Sequence, residues 1–237
     1  MTSTPTSSSA ARAGDAPDPL VLRFDVTERL FHWAFAVPFL LTMVTGLAMY
    51  FDALQKLAGD RELVRDIHRF AGLAVVVLPV LVLVIGRRRG LARDLDDLDL
   101  WSYDDRLWFR AWVWRKLGGR DPLPPQGRFN AGQKVNAAVS AAGIVILSVT
   151  GIVIFPGIHP PFELVSNSRA LHNITWMVLT LAVAGHVFLA AVYPPTRPGL
   201  GGAFGGRVRL SWLRHHHPLT PEALAQEPGD EAAPGRR

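Results

Sequence analysis

The chain has 237 residues, of which 49% are hydrophobic, and it contains no cysteine. The lack of cysteine excludes a covalent c-type heme, cysteine-ligated iron–sulfur clusters and disulfides within this chain. A formal net charge of +5 is compatible with nucleic-acid binding. The basic residues, however, alternate between segments as in a membrane protein, so we expect no nucleic-acid partner.

The first predicted elements are a disordered tail and four membrane spans. Residues 1–19 are rich in Ser, Thr, Ala and Pro, which is typical of disorder, and they lack the pattern of a secretory signal. A polar lead-in opens a predicted membrane domain over residues 20–195. Its four apolar runs are close to the ~20 residues that a spanning helix needs, and they cover about residues 31–51, 67–86, 135–155 and 171–193. The predicted fold is an all-α, membrane-spanning four-helix bundle.

The segments outside the spans are polar or mixed. The loop over residues 87–134 contains a basic, tryptophan-rich stretch, Trp108–Lys116, that predicts a short helix at the membrane interface. Residues 196–237 are rich in proline and glycine, which predicts a flexible tail. A run at His215–His217 is assigned to that solvated tail, with metal binding as the alternative. His159, in the loop before the fourth span, receives no predicted role.

Lysine and arginine counts predict the topology. Three such residues precede the first span, eleven lie in the loop over residues 87–134 and six follow the fourth span, which leaves five for the opposite side. Basic residues are enriched in cytoplasmic loops of membrane proteins. We therefore expect both termini and the middle loop to lie in the cytoplasm, and the chain to be a multi-pass protein of a bacterial inner membrane.

Four histidines lie inside the apolar runs or at their ends: His32, His68, His172 and His186. A histidine in a membrane span is costly and marks a candidate functional site. Fourteen residues separate His172 from His186, and fourteen residues of helix advance about 21 Å while returning to nearly the same face. These two histidines therefore point the same way at opposite membrane depths.

The expected depth of each histidine in the membrane assigns the four to two pairs. The second and fourth spans begin on the outer side, so His68 matches His172, and His32 at the start of the first span matches His186. Two imidazole pairs are the ligand set of two stacked b-type hemes, with the four histidines as axial ligands of heme iron. Zinc, a proton relay and plain packing are the alternatives; zinc requires three or four ligands close together.

Small and basic residues near the predicted heme depths have two possible roles each. Glycines on the spans permit close helix packing or leave room for a flat macrocycle, and they are Gly46, Gly72, Gly143, Gly151 and Gly185. Cations near span ends neutralise heme propionates or extend to the interface, and they are Arg29, Arg69 and Lys134.

Several motifs resemble those of the cytochrome b (gamma) subunit of respiratory formate dehydrogenase, within the wider family of four-helix bacterial di-heme cytochromes b. The resemblance covers about residues 20–195. It lies in the spacing of His172 and His186 and in four segments: Arg23–Trp33, Thr45–Tyr50, Arg128–Lys134 and Thr150–Gly151. The segment Phe-Asn-Ala-Gly-Gln-Lys at 129–134 is the most specific of these.

The resemblance implies two b hemes and a place in a three-part enzyme. A molybdenum- or tungsten-containing alpha subunit would oxidise formate outside, and an iron–sulfur beta subunit would pass electrons to the outer heme. The inner heme would reduce a quinone, whose pocket would be lined by Asn130, Gly132, Gln133 and His186. Amide and backbone N–H donors suit a quinone carbonyl that gains negative charge. On residue chemistry alone, a polar cap before the third span explains the same segment.

Other classes of function share parts of this pattern. The cytochrome of a hydrogenase or of another molybdoenzyme would have the same spans and histidines. A stand-alone di-heme quinone oxidoreductase would need no partner. A heme-free anchor has no use for paired histidines, and a transporter usually has more spans and internal repeats.

Overall fold

The structure is a computed structural model and describes residues 18–225. Four long helices dominate the described part, and each is long and apolar enough to cross a membrane. They are α1 (Val26–Tyr50), α3 (Arg61–Ile85), α6 (Ala131–Val153) and α7 (Phe162–Val187), the last continued by a π-helical turn at Phe188–Val192. The all-α fold and the four predicted spans are confirmed.

Each long helix begins several residues before its predicted apolar run. The first turns of three of them are polar and capped: Asp25 forms a capping box with Glu28 in α1, and Asp60 accepts hydrogen bonds from the first turn of α3. Such caps satisfy backbone N–H groups that have no partner inside the helix. Hydropathy marks only the apolar part of a helix, so it leaves out these polar starts.

The four helices form two closely packed pairs, α1 with α3 and α6 with α7. At Gly143 in α6, an added Cβ would lie 2.6 Å from Cδ1 of Leu179 in α7, so the two backbones approach as closely as glycine allows. Leu179 is fully buried. Large apolar side chains such as Phe70 and Leu181 are instead exposed on the outside of the bundle, as expected for a surface that faces lipid.

The connections lie at two opposite ends of the bundle. The short-loop face contains α2 (Asp52–Ala58) and residues 154–161. The terminal face contains residues 18–25, residues 196–225 and the middle loop, with α4 (Arg88–Asp99) and α5 (Tyr103–Lys116). The helix predicted over Trp108–Lys116 is the C-terminal part of α5. A buried ion pair, Lys134 Nζ to Asp105 Oδ2 at 2.8 Å, joins α5 to α6.

Residues 196–225 are folded, so the predicted flexible tail is wrong for them. They form a 3₁₀ turn and four short elements: Arg197–Gly199, α8 (Leu200–Gly205), β2 (Arg207–Arg209), α9 (Leu210–His216) and α10 (Pro221–Leu224). We call residues 196–225 the C-terminal cap. The predicted disordered tail lies outside the described residues except for 18 and 19, and residues 226–237 also lie outside them.

The C-terminal cap is held by the start of the chain. Strand β1 (Leu20–Leu22) pairs antiparallel with β2, and Val21 lies opposite Val208. Val208 also belongs to a small hydrophobic cluster with Leu213 and Ala223. Proline and glycine content predicted flexibility because it reports local propensity, whereas the cap is stabilised by a partner strand about 190 residues earlier in the chain.

Candidate functional site

The structure brings the four predicted histidines together in the two predicted pairs. His68 of α3 faces His172 of α7 near the short-loop face, with ring centroids 6.4 Å apart and ring planes at 64°. His32 of α1 faces His186 of α7 near the terminal face, with centroids 6.3 Å apart and planes at 54°. We call these the short-loop pair and the terminal pair.

The separation within each pair suits a shared metal ion. With metal–nitrogen bonds of about 2.0 Å, two imidazoles on opposite sides of one ion have centroids about 6.3 Å apart. A direct hydrogen bond between the rings would bring the centroids to about 5 Å. Within residues 18–225, neither pair is joined by such a bond. Each pair therefore leaves a gap that one iron atom with two axial imidazoles would span.

Threonines orient both histidines of the short-loop pair. Thr45 Oγ1 lies 3.0 Å from His68 Nδ1, and Thr150 Oγ1 lies 2.9 Å from His172 Nδ1. Each hydroxyl also donates to the carbonyl oxygen four residues earlier in its helix, at 2.8 and 2.7 Å. Because a hydroxyl has one proton, its oxygen accepts from the ring. Nδ1 therefore carries the proton, and Nε2 keeps the lone pair that a metal needs.

Each threonine is followed by a glycine that lies against the same ring. An added Cβ at Gly46 would lie 3.6 Å from His68 Cε1, and one at Gly151 would lie 3.7 Å from His172 Cε1. The Thr-Gly sequence thus occurs in both helix pairs, and in each pair its two residues contact the ring of the facing histidine. In the sequence, the role of these threonines beside the histidines is not apparent from a single helix. The Thr-Gly sequence occurs twice, 23 and 22 residues before a histidine of a span, and this repeat is the sequence signal that identifies the two threonines.

The other three span glycines divide into two kinds. Gly143 permits helix packing, because Leu179 fills the space where a Cβ would lie. At Gly72 and Gly185 an added Cβ would have no atom within 4 Å. Gly72 lies one turn from His68 on the same helix face. Open space beside His68 would leave room for a flat macrocycle.

The three cations predicted near heme depth all have protein partners. They are Arg29 with the Phe204 carbonyl, Arg69 with Asp66, and Lys134 with Asp105. Lys134 also donates to the Leu100 carbonyl at 2.7 Å and is buried. Its charge thus already has a buried partner in the protein, which argues against a propionate role for Lys134.

The predicted quinone segment forms the N-terminal cap of α6. Asn130 Oδ1 accepts from the Gln133 backbone N–H, and Gln133 Oε1 accepts from the Asn130 backbone N–H, both at 2.9 Å. Both side-chain oxygens are therefore used, as the polar-cap alternative expects. Within the described chain, neither side-chain NH₂ group has a partner, so both remain able to donate.

An aromatic face of α5 covers this cap. An added Cβ at Gly132 would lie 3.3 Å from the Trp108 ring. Trp108 is stacked with Trp112, at 6.2 Å between centroids and 11° between planes. Lys116 then contacts both Trp112 and Tyr193, the residue that follows the π-helical turn. This aromatic face connects the start of α6 to the end of the chain segment that carries His186.

A charge cluster lies beside the start of α1. Glu28 is buried, with Arg128 Nη2 at 2.7 Å and Arg93 Nη2 at 3.3 Å. Arg128 Nε also pairs with Asp94 at 2.5 Å. Burial raises the pKa of Asp94 to about 6, even though Arg128 opposes the shift. The terminal face therefore carries a carboxyl group whose pKa burial holds above its ordinary value.

The remaining histidines of the sequence are His159 and the run His215–His217. His217 is buried at 1% exposure, and both of its ring nitrogens have partners, so the solvated-tail prediction is wrong for this residue. Within residues 18–225 there is no cluster of three or more histidine, cysteine or acidic side chains that could hold a metal ion. His159 lines a surface depression at the short-loop face with Phe162 and Arg169.

Fold and site together define a class: a helical membrane bundle with two facing imidazole pairs, the arrangement of a membrane cytochrome b. The chain belongs to the family described as prokaryotic cytochrome b561, whose model matches residues 23–202. Membership implies b-type heme and a part in electron transport.

Known relatives carry more specific names. The chain is 25% identical over 205 residues to the cytochrome b556(Fdn) subunit of nitrate-inducible formate dehydrogenase from Escherichia coli K12, covering 84% of this chain and 89% of the relative. It is 26% identical over 204 residues to the cytochrome b556(fdo) subunit of formate dehydrogenase from the same strain, covering 84% and 90%. The cytochrome b556 subunit of formate dehydrogenase from Haemophilus influenzae is 23% identical over 207 residues, covering 85% and 82%.

Proposed function

We propose that this chain is the membrane cytochrome b subunit of a formate dehydrogenase complex. It carries electrons across the bilayer through two b hemes, one bound by His68 and His172 and the other by His32 and His186. The observation that carries the proposal is that the structure contains two facing imidazole pairs, each with the ring spacing of two ligands of one metal ion. One histidine of each pair lies on α7. The names of the relatives support formate as the source of electrons.

Bound heme would supply an iron that accepts and releases one electron at a time. The protein would control that iron through the histidines that hold it, their hydrogen-bond partners and burial. The Thr45 and Thr150 hydroxyls support this role, because they hold two imidazoles in the tautomer that ligates through Nε2. Open space at Gly72, one turn from His68 on α3, supports it further, since a macrocycle needs room beside its ligand.

The proposed transfer runs from the short-loop face to the terminal face. An iron–sulfur beta subunit, reduced by a molybdenum- or tungsten-containing alpha subunit, would dock at the short-loop face beside the His68–His172 pair. Electrons would then move to the His32–His186 pair at the terminal face. The excess of lysine and arginine on the terminal face supports a cytoplasmic location for it in a bacterial inner membrane.

Quinone reduction would take place at the terminal face, with Asn130, Gly132, Gln133 and His186 around the ring. The free side-chain NH₂ groups of Asn130 and Gln133 are donors suited to a carbonyl oxygen that becomes negative. Among the described residues, the His186 ring has no hydrogen-bond partner, in contrast to His172. His186 is therefore able to ligate through one nitrogen and donate from the other. Protons for the quinol would come from the cytoplasm.

Heme stoichiometry is the test of the ligand assignment. The chain would be purified from membranes, and heme would be quantified as the pyridine hemochrome beside a reduced-minus-oxidised spectrum. We expect two b hemes per chain, one heme after His68→Ala or His32→Ala, and two after the control His159→Ala. A wild-type chain with one heme or none would overturn the proposal.

The partner assignment has a separate test. In membranes that contain the whole complex, formate should reduce both hemes, and His186→Ala should abolish quinone reduction while formate oxidation with an artificial dye continues. Co-purification of a hydrogenase, with heme reduction by dihydrogen and not by formate, would replace the donor while leaving the two hemes in place.

A further inference from the structure

Three consecutive backbone carbonyls, immediately before the Asn130 cap, accept hydrogen bonds from distant parts of the chain. The donors come from the C-terminal cap and from the segment before α1. The bonds are Leu219 N to Gln126 O at 3.2 Å, His217 Nδ1 to Gly127 O at 2.7 Å, and Arg23 Nη2 to Arg128 O at 2.9 Å. We call these three bonds the loop clamp.

Two of the donors are bonded to each other. Arg23 Nη2 lies 3.1 Å from His217 Nε2. A guanidinium can only donate, so Nε2 is the acceptor and Nδ1 carries the proton that is given to Gly127. The ring is therefore neutral, with one defined tautomer. His217 is 1% exposed and Arg23 is 5% exposed, so water does not compete for these bonds.

The loop clamp continues into the first turn of α6. The side-chain oxygen of Gln126 accepts from the Ala131 backbone N–H at 2.9 Å, which is one of the N–H groups left without a partner inside the helix. Gln126 is 5% exposed and Ala131 is fully buried. The next residues along this turn are Gly132 and Gln133, so the clamp holds the backbone from which the proposed quinone donors project.

Attachment of the C-terminal cap alone does not require these bonds. The cluster of Val208, Leu213 and Ala223 already packs the cap against β1. Surface loops usually direct their carbonyls to water, whereas this loop receives a buried arginine and a buried histidine. Burial of a guanidinium is costly, and burial, together with the nearby charge of Arg128, lowers the pKa of Arg23 to about 10. The Arg23 and His217 side chains thus hold this loop in position, beyond attaching the C-terminal cap.

We propose that His217 and Arg23 are positioning residues for the quinone site, and that they act through the loop clamp on the turn at Asn130–Gln133. The proposal rests on the quinone-reducing function proposed above. Neither residue is required for heme binding, because the loop clamp lies outside the four histidine-bearing turns.

The experiment follows heme reoxidation by a quinone analogue. The purified chain with its hemes would be reduced by a stoichiometric amount of dithionite without oxygen. It would then be mixed with a short-chain ubiquinone analogue or, in parallel, a short-chain menaquinone analogue. Loss of the clamp bond in His217→Ala should raise the half-saturating quinone concentration about tenfold, with heme content and limiting rate unchanged. His215→Ala, an exposed neighbour, is the matched control.

Two conservative variants isolate the bond. The side-chain N–H of asparagine can take the place of Nδ1–H, so His217→Asn should restore most of the quinone affinity, whereas His217→Gln should not. They also decide the question if His217→Ala fails to assemble with heme. Equal half-saturating concentrations in wild type, His217→Asn and His217→Gln would overturn the positioning role. If quinone fails to reoxidise the wild-type hemes, the proposed quinone function itself fails.

Discussion

The Thr150 hydroxyl accepts the Nδ1 proton of His172 while donating its own proton one turn back along α6. Thr45 does the same for His68 from α1. The two histidines of the short-loop pair thus share one kind of acceptor, each supplied by the neighbouring helix. Among the described residues, the histidines of the terminal pair have no such acceptor. The two proposed heme sites therefore differ in the electronic character of their ligands.

Removal of the acceptor should change the heme at the short-loop pair. In Thr150→Val, the methyl group that replaces the hydroxyl cannot accept, so the imidazole becomes a weaker electron donor and the midpoint potential of that heme should rise. Loss of such a partner typically weakens metal binding about tenfold to a hundredfold. A spectroscopic redox titration measures the potential, with Thr150→Ser as the control that keeps the hydroxyl. A valine variant that titrates like wild type would contradict the assigned acceptor.

Contact between α6 and α7 at Gly143 should not tolerate a methyl group. Gly143→Ala places a Cβ within 2.6 Å of Leu179, which overpacks a buried position and should cost about 1–3 kcal/mol of stability. Thermal unfolding in detergent measures the loss. In the double variant with Leu179→Ala, the two effects should be less than additive because the clash is removed. Strict additivity would mean that the helices move apart without strain.

The ion pair between Lys134 and Asp105 should be far more sensitive than pairs on the surface. Lys134→Met leaves the buried Asp105 carboxylate without its cation, with only the hydrogen bonds from Ser102, and loss of one partner of a buried ion pair typically costs about 3–5 kcal/mol. Neutralising both groups, with Asp105→Asn added, should recover much of that loss. Arg65→Ala breaks an exposed pair with Glu62 and should stay within about 1 kcal/mol of wild type. Denaturant unfolding of the three variants tests the order.

Acid should release the C-terminal cap through His217. Burial lowers its pKa to about 3, assisted by the charges of Arg23, His216 and Arg128 and opposed by the bond to Gly127. Because the pKa of His217 is lowered only in the folded state, His217 binds a proton more readily when the C-terminal cap is open. Stability is therefore fully present above the ordinary pKa of about 6.5 and is lost as pH falls towards 3. Cap opening should increase about tenfold for each pH unit below 6.

Hydrogen exchange at the Leu219 amide, which donates to Gln126, reports that opening after correction for intrinsic exchange. In His217→Gln the pH dependence between 4 and 6 should disappear, because the replacement does not titrate. Persistence of the same slope in that variant would assign the effect to another group.

Hydropathy and spacing predicted the spans and the histidine pairs because both depend on local periodicity. Apolar runs of about twenty residues have few alternatives in a membrane protein. A fourteen-residue interval on one helix determines relative depth and face without reference to any neighbour. For this reason spacing and topology pair His172 with His68 and His186 with His32, and the structure contains both facing pairs.

Tertiary structure decided what surrounds those histidines. The acceptor roles of Thr45 and Thr150 depend on how α1 and α6 are rotated against their partners, and single-helix periodicity does not contain that rotation. Local composition likewise predicted flexibility for residues 196–225, because no short segment there can bury an apolar face alone. Those residues fold because β2 pairs with β1, which lies about 190 residues earlier in the chain. Helix and membrane propensity are local properties, whereas hydrogen-bond partners and strand pairs exist only once distant segments have met.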